Sequence, residues 1–276
     1  MLPQDIFVAK TKVGNFKVKY DYNTIFVGGK QYCITLANRN TYGYLDRLET
    51  ANGGCELDGK QIRRDNTVHM TDLAFTILKE KNSSITNITL LDDSHITYID
   101  NNKPNGVLLL SAYILLYQKT YYEQKFNATM QDAEKYKEYV QLRTKGFNYP
   151  SMKPLTFDFI DREIQEKLEP LYKETNTWYS FIELLKSTYK DTNIYKIIRP
   201  WYRHALHIIF QGVDITQFWQ IDITNRPIIQ YTRIEKKNTK YNLTRGGKRK
   251  SRRISFSAYK GKAIYGNHSL SIDDVE

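Results

Sequence analysis

The 276-residue sequence predicts an α/β (α+β) chain: a mixed sheet with flanking helices, then a helical region, a β-hairpin and a basic tail. Three observations predict it. Residues 14–37 alternate apolar and polar side chains between turn signals, the period of half-buried strands. Residues 55–126 read by period as strand, turn, helix, strand, turn, helix. Beyond residue 157 the pattern is helical until two short β-branched runs at 217–234.

In order along the chain, Phe16, Val18 and Tyr20 alternate with Lys17 and Lys19, and turns at Asp21–Asn23 and Gly28-Gly29 separate this strand from Ile25–Val27 and Tyr32–Leu36. Residues 38–54 read as a loop with one short helix around Tyr44–Leu48. A strand at Cys55–Ile62 leads into a helix over Arg63–Glu80. There Met70, Leu73, Ala74, Ile77 and Leu78 form one apolar stripe, Asn66 or Thr67 supplies the cap, and Lys79 and Lys81 close the last turn. After Asn82-Ser83-Ser84, Ile85–Leu91 is a second strand. Two strands joined through a helix run parallel if they share a sheet. Pro104-Asn105-Gly106 marks a turn, and Val107–Lys119 is apolar nearly all round, the mark of a buried helix.

Met130–Arg143 reads as a further helix, and residues 144–156, with two prolines and a glycine, mark a boundary. Trp178, Phe181, Ile182 and Leu185 share one helical face behind a Thr175 or Thr177 cap, and Ile194–Ile209 is helical but split by Pro200. Gln217–Ile223 and Ile228–Ile234 flank Asn225-Arg226-Pro227 as a hairpin. The organisation expected is an α/β domain over 1–143, a helical region plus hairpin over 157–234, and a flexible basic tail over 235–276. If the hairpin returns to the first sheet, the helices are an insertion into one domain.

With 41% hydrophobic and 26% charged residues the chain can bury a core. Its longest apolar run, Val107–Tyr117, falls short of the roughly 20 residues of a spanning helix. The first residues, MLPQDIFVAK, lack the form of a signal peptide, so a non-secreted, non-membrane protein is expected. Cys33 and Cys55 are too few for a disulfide framework or zinc cage and read as buried small apolar residues. His204 and His207 stand three apart without a third ligand, so no metal is expected. The formal charge of +11 is concentrated in the tail: residues 236–253 hold nine cations and no acid. Lys236, Lys237, Lys240, Arg245, Lys248, Arg249, Lys250, Arg252 and Arg253 together favour DNA, RNA or another polyanion. A solvated tail or localisation signal is the plainer alternative.

The order of elements in residues 14–128, ending Thr120-Tyr121-Tyr122-Glu123-Gln124-Lys125-Phe126, resembles the GNAT superfamily of N-acetyltransferases. The resemblance implies a strand that runs into a phosphate-binding turn and helix, and a second strand that splays away to admit acetyl-CoA. The same stretch is similar to an uncharacterised family of large-DNA-virus proteins, through Asn66-Thr67, Asp92-Asp93-Ser94 and Thr120–Glu123. That likeness implies the cytoplasm or nucleus of an infected host cell, or a packaged virion, with virion proteins as partners.

From the first resemblance follow candidate roles. Acetyl-CoA pyrophosphate would meet backbone N–H groups at Asn66, Thr67, Val68 and His69, with charge from Arg63 and Arg64. The stretch QIRRDNTV has no glycine where the family's turn has two, and Asp65 stands where phosphate would lie. A proton acceptor would be Glu56, Asp92 or Asp93, though Asp92-Asp93-Ser94 also suits a simple strand end. Tyr121 or Tyr122 would protonate the leaving thiolate. The alternative function is a non-enzymatic viral structural or nucleic-acid-binding protein that keeps the fold as a scaffold.

Overall fold

The computed structural model describes residues 5–48, 56–57, 60–61, 64–92, 95–100, 103–148, 161–189, 194–213, 215–235 and 269–271. The chain begins with five strands laid side by side. These are β1 (Asp5–Lys10), β2 (Asn15–Asp21), β3 (Thr24–Gly28), β4 (Tyr32–Asn38) and β5 (Gly43–Leu48), an antiparallel meander. One face of each strand is buried: Phe7 and Ala9, Phe16 and Val18, Ile25 and Val27, Ile34 and Leu36, Leu45 and Leu48. The alternation that predicted β2 to β4 is therefore the alternation that builds the core.

Helix α1 (Arg64–Lys81) crosses this apolar face. The sequence shows one apolar stripe, yet every residue from Met70 to Leu78 is buried, Thr71, Asp72 and Thr76 included. The threonine hydroxyls donate to the carbonyls of Thr67 and Asp72, both at 2.8 Å. A late segment then covers the polar side. Ile229 N–H donates to Thr76 Oγ1 at 3.0 Å, Arg226 pairs with Asp72 at 2.6 Å, and Lys79 Nζ reaches the Ile223 carbonyl at 2.6 Å. Burial raises the Asp72 carboxyl above its ordinary range, although Arg226 opposes the shift.

Strand β8 (Asn87–Leu91) follows α1 and lies parallel to β5. Two small pieces sit apart from the main sheet: β6 (Glu56–Leu57) with β7 (Lys60–Gln61), and β9 (His95–Asp100) with β10 (Lys103–Leu108). The strand expected at Cys55–Ile62 is thus not the parallel partner. Gly43–Leu48, expected as loop and short helix, is. Pro104-Asn105-Gly106 lies within β10 rather than in a turn.

The long helix expected from Val107 is two. Helix α2 (Leu109–Tyr117) stops at Gln118, whose left-handed φ of 56° ends it. Helix α3 (Tyr121–Phe126) restarts behind a capping box between Thr120 and Glu123. Strand β11 (Thr129–Met130) leads to α4 (Ala133–Asn148), which runs past the boundary expected from 144. Helices α5 (Arg162–Lys173), α6 (Trp178–Thr188), α7 (Ile194–Ile198) and α8 (Tyr202–Ile209) follow, with the break at Pro200 as expected. Both α6 and α8 pack on α2 and α4, so the helical region shares a core with the first half of the chain.

The expected hairpin at 217–234 does not form. Strand β12 (Phe218–Asp222) inserts between β8 and β11, whereas β13 (Thr232–Glu235) pairs with β1 at the opposite edge. The linking segment instead crosses α1. Among the described residues the main sheet runs β11-β12-β8-β5-β4-β3-β2-β1-β13, and β14 (Ser269–Ser271) pairs with β9. Cys33 is wholly buried as expected, but it is disulfide-bonded rather than a free thiol. The only other cysteine, Cys55, lies outside the described residues. No helix among the described residues is long and apolar enough to cross a membrane.

Candidate functional site

The main sheet has one parallel pair among its described strands, and that pair is short. Only Gly43↔Ile88 and Tyr44↔Thr89 face each other across β5 and β8. Beyond them β5 stays with β4, as far as Leu48↔Ile34, and β8 stays with β12, as far as Leu91↔Phe218. The C-terminal halves therefore part. A register shift between Thr35 and Leu36 in the β4–β5 ladder helps turn β5 aside. Gly43 permits the close approach at the pivot, since a Cβ there would run into Ile88 Cδ1 and stand 2.8 Å from Leu78 Cδ2.

Helix α1 joins the two strands, and its N-terminus lies at the end where they part. His69 Nε2 is 3.2 Å from Thr11 Oγ1 in the β1–β2 turn, and its ring is 5.9 Å from Phe16 at the start of β2. The ladders place that end beside the end of β3, the start of β4 and the end of β5. A helix N-terminus at the carboxyl ends of parallel strands is where open α/β sheets bind anionic ligands.

The predicted residues distribute unevenly over this notch. Asp92 closes β8 at its mouth and is only 4% exposed. Thr67 is buried, while Asn66, Val68 and His69 are half-buried on the first turns of α1. Burial and the neighbouring Lys12 lower the His69 pKa, so its imidazole is neutral at pH 7 and offers no cation. A cation beside it is Lys12, in the tight turn from Thr11 to Gly14, where Thr11 Oγ1 accepts the N–H groups of Val13 and Gly14. The turn signal was present in the sequence, but its proximity to α1 was not. Arg63, Asp93 and the nine cations of 236–253 lie outside the described residues, as do the side chains of Glu56 and Arg64.

Tyr121 and Tyr122 are 2% and 3% exposed, and their rings stack edge-on at 5.4 Å within a cluster that includes Tyr113 and Phe126. Their neighbour Glu123, which sequence reasoning passed over, carries the polar network. Its carboxylate accepts Thr120 N–H at 2.8 Å, Tyr139 OH at 2.9 Å, Tyr136 OH at 3.2 Å and Arg143 Nη1 at 2.9 Å. Four donors on a buried carboxylate make a satisfied internal charge, which locks α3 to α4. The Thr-x-x-Glu spacing was the available signal.

On the sheet face away from α1, a groove of about 510 Å³ opens over the pivot, lined by Arg39, Tyr42, Tyr44, Thr89, Gln131 and Phe218. Gln131 Nε2 donates to Thr89 Oγ1 at 3.0 Å, fixing the groove's floor. Its volume is within the usual range for small-molecule sites. No group of three or more His, Cys, Asp or Glu side chains able to hold a metal occurs among the described residues. No protein-family model matches the chain, and neither a curated protein nor a solved structure does.

Proposed function

We propose that the chain is an acetyl-CoA-dependent N-acyltransferase of GNAT type. The observation that carries this reading is the parting of β5 and β8 after two residue pairs, with the α1 N-terminus at the same end. Where two strands part, a pantetheine arm, which carries amides of its own, can lie along their edges and hydrogen-bond to main-chain groups. The α1 N-terminus and Lys12 then favour the pyrophosphate. Acetyl-CoA supplies an acyl group already activated as a thioester. The acceptor amine enters from the groove over Tyr44 and Thr89, on the other face of the sheet.

In the transfer, the amine nitrogen attacks the thioester carbonyl carbon, a C–N bond forms and the C–S bond breaks. Asp92, at the mouth of the notch, takes the proton that the amine sheds. The leaving thiolate needs no dedicated acid, since a thiol of pKa about 8.5 is a good leaving group near neutral pH. Tyr121 and Tyr122 then serve as packed rings.

The test is thermal unfolding with acetyl-CoA. Saturation at 100 times Kd stabilises by about 2.7 kcal/mol, or roughly 5–10 °C for a chain of this size. Asp92→Asn is expected to keep that shift while losing about a hundredfold or more of thiol release in the presence of an amine acceptor. Absence of any shift with millimolar acetyl-CoA refutes the reading.

A further inference from the structure

A second surface lies on the outer sheet face, over β1 to β5. Lys17 Nζ stands 4.7 Å from the centre of the Tyr32 ring, Lys19 Nζ stands 5.2 Å from the Phe26 ring, and the two rings are 5.6 Å apart. The cross-strand register extends this row from Phe26 through Thr35 to Arg47, which is exposed. Aromatic rings therefore alternate with cations across adjacent strands on a face that α1 does not cover. Three carboxylates share the strands: Asp46 is exposed, Asp21 pairs with Lys19 at 2.7 Å, and Asp5 pairs with Arg233. Cations still outnumber acids on this part of the face. Strand β13, which directly precedes the nine-cation run in sequence, forms the edge beside β1.

We infer that this outer face is a binding platform for single-stranded nucleic acid. Bases stack on Phe26 and Tyr32 once the two ammonium groups swing from ring to phosphate, and Arg47 continues the electrostatic track. A duplex buries its base faces and cannot use the rings, so the platform prefers single strands. The groove and notch already described are not needed for this binding.

The experiment uses the full chain and a fluorescein-labelled oligothymidine of about 20 nucleotides, long enough for a site of ordinary size, followed by anisotropy over a salt series. Lys17→Glu with Lys19→Glu is expected to weaken binding at least about tenfold. Losing two phosphate contacts should also make the slope of log K against log salt shallower by about 1.4. Phe26→Leu with Tyr32→Leu should weaken binding about tenfold or more with little change of slope, and Asp21→Asn should tighten it. Melting temperature checks that each variant folds, and the charge variants stand if the ring variant does not. A variant with Lys248, Arg249, Lys250, Arg252 and Arg253 changed to Gln separates the tail from the face. The inference is overturned if the wild-type chain does not bind. It is overturned equally if only the tail variant loses binding, or if duplex of the same length binds as well as single strand.

Discussion

Replacing Glu123 with alanine removes the acceptor for four donors at once. The carboxylate is 4% exposed and its Arg143 partner 12% exposed, so water cannot replace what is lost. Arg143 is left as a half-buried cation without its carboxylate; it still donates to Tyr139 OH at 3.1 Å, but that hydroxyl then lacks its Glu123 acceptor. Thr120 N–H loses the reciprocal half of its capping box. Breaking a buried pair from one side costs about 3–5 kcal/mol, and a chain of this size loses about 2–4 °C per kcal/mol. The expected fall in Tm is therefore roughly 6–20 °C, read by circular dichroism, with a matching fall in the urea midpoint. Glu123→Gln keeps the capping geometry and should fall between wild type and Glu123→Ala. Adding Arg143→Met to Glu123→Ala should recover part of the loss, because the stranded cation is removed. If Glu123→Ala stays within about 1 kcal/mol of wild type, the network does not hold α3 to α4 as described.

The Asp72–Arg226 pair should respond asymmetrically: Arg226→Met strands a buried carboxylate and costs about 3–5 kcal/mol, whereas Asp72→Asn should cost clearly less, since Arg226 keeps its place over the Phe126 ring at 5.0 Å; urea unfolding of both variants decides. Gly43→Val should destabilise by about 1–3 kcal/mol through overpacking against Ile88 and Leu78, and should also abolish any stabilisation by acetyl-CoA, because the pivot between β5 and β8 shifts. In alkali, the phenols of Tyr139 and Tyr136 are held above their usual range by burial first and by the Glu123 charge second. The folded state then keeps protons that the unfolded state releases, so stability is full below about pH 10 and falls as pH rises. Tyr139→Phe should flatten that fall, as seen in urea midpoints between pH 8 and 11.

Much of the fold was legible where one period governs one element. The strands around Phe16–Val18, Ile25–Val27 and Tyr32–Leu36, the α1 stripe and a cap at Thr175 or Thr177, which proves to be Thr177, were all visible, because local burial and capping decide them. Gly43–Leu48 was not. The ladder irregularity leaves Leu45 and Leu48 buried three apart, a spacing that mimics a helical turn. Burial of the polar side of α1 was not legible, because its cover, residues 223–231, is some 150 positions away. For the same reason β12 and β13 looked like a hairpin: they are adjacent in sequence, but here each strand pairs with an element far upstream. In the candidate site, Asp92 at a strand end was legible, whereas the pivot at Gly43 and Thr89, the Lys12 cation and the outer groove depend on register and on which ends coincide.

The central claim, that β5 and β8 part to receive a thioester-bearing arm, is tested most directly by backbone hydrogen exchange at Leu45–Leu48 and Leu90–Asp92 with and without coenzyme A. The account predicts that some of these amides exchange quickly in the free protein and become protected when coenzyme A is added, while those of β2 and β3 do not change. Slow exchange throughout both segments in the free protein, unaltered by coenzyme A, would contradict it.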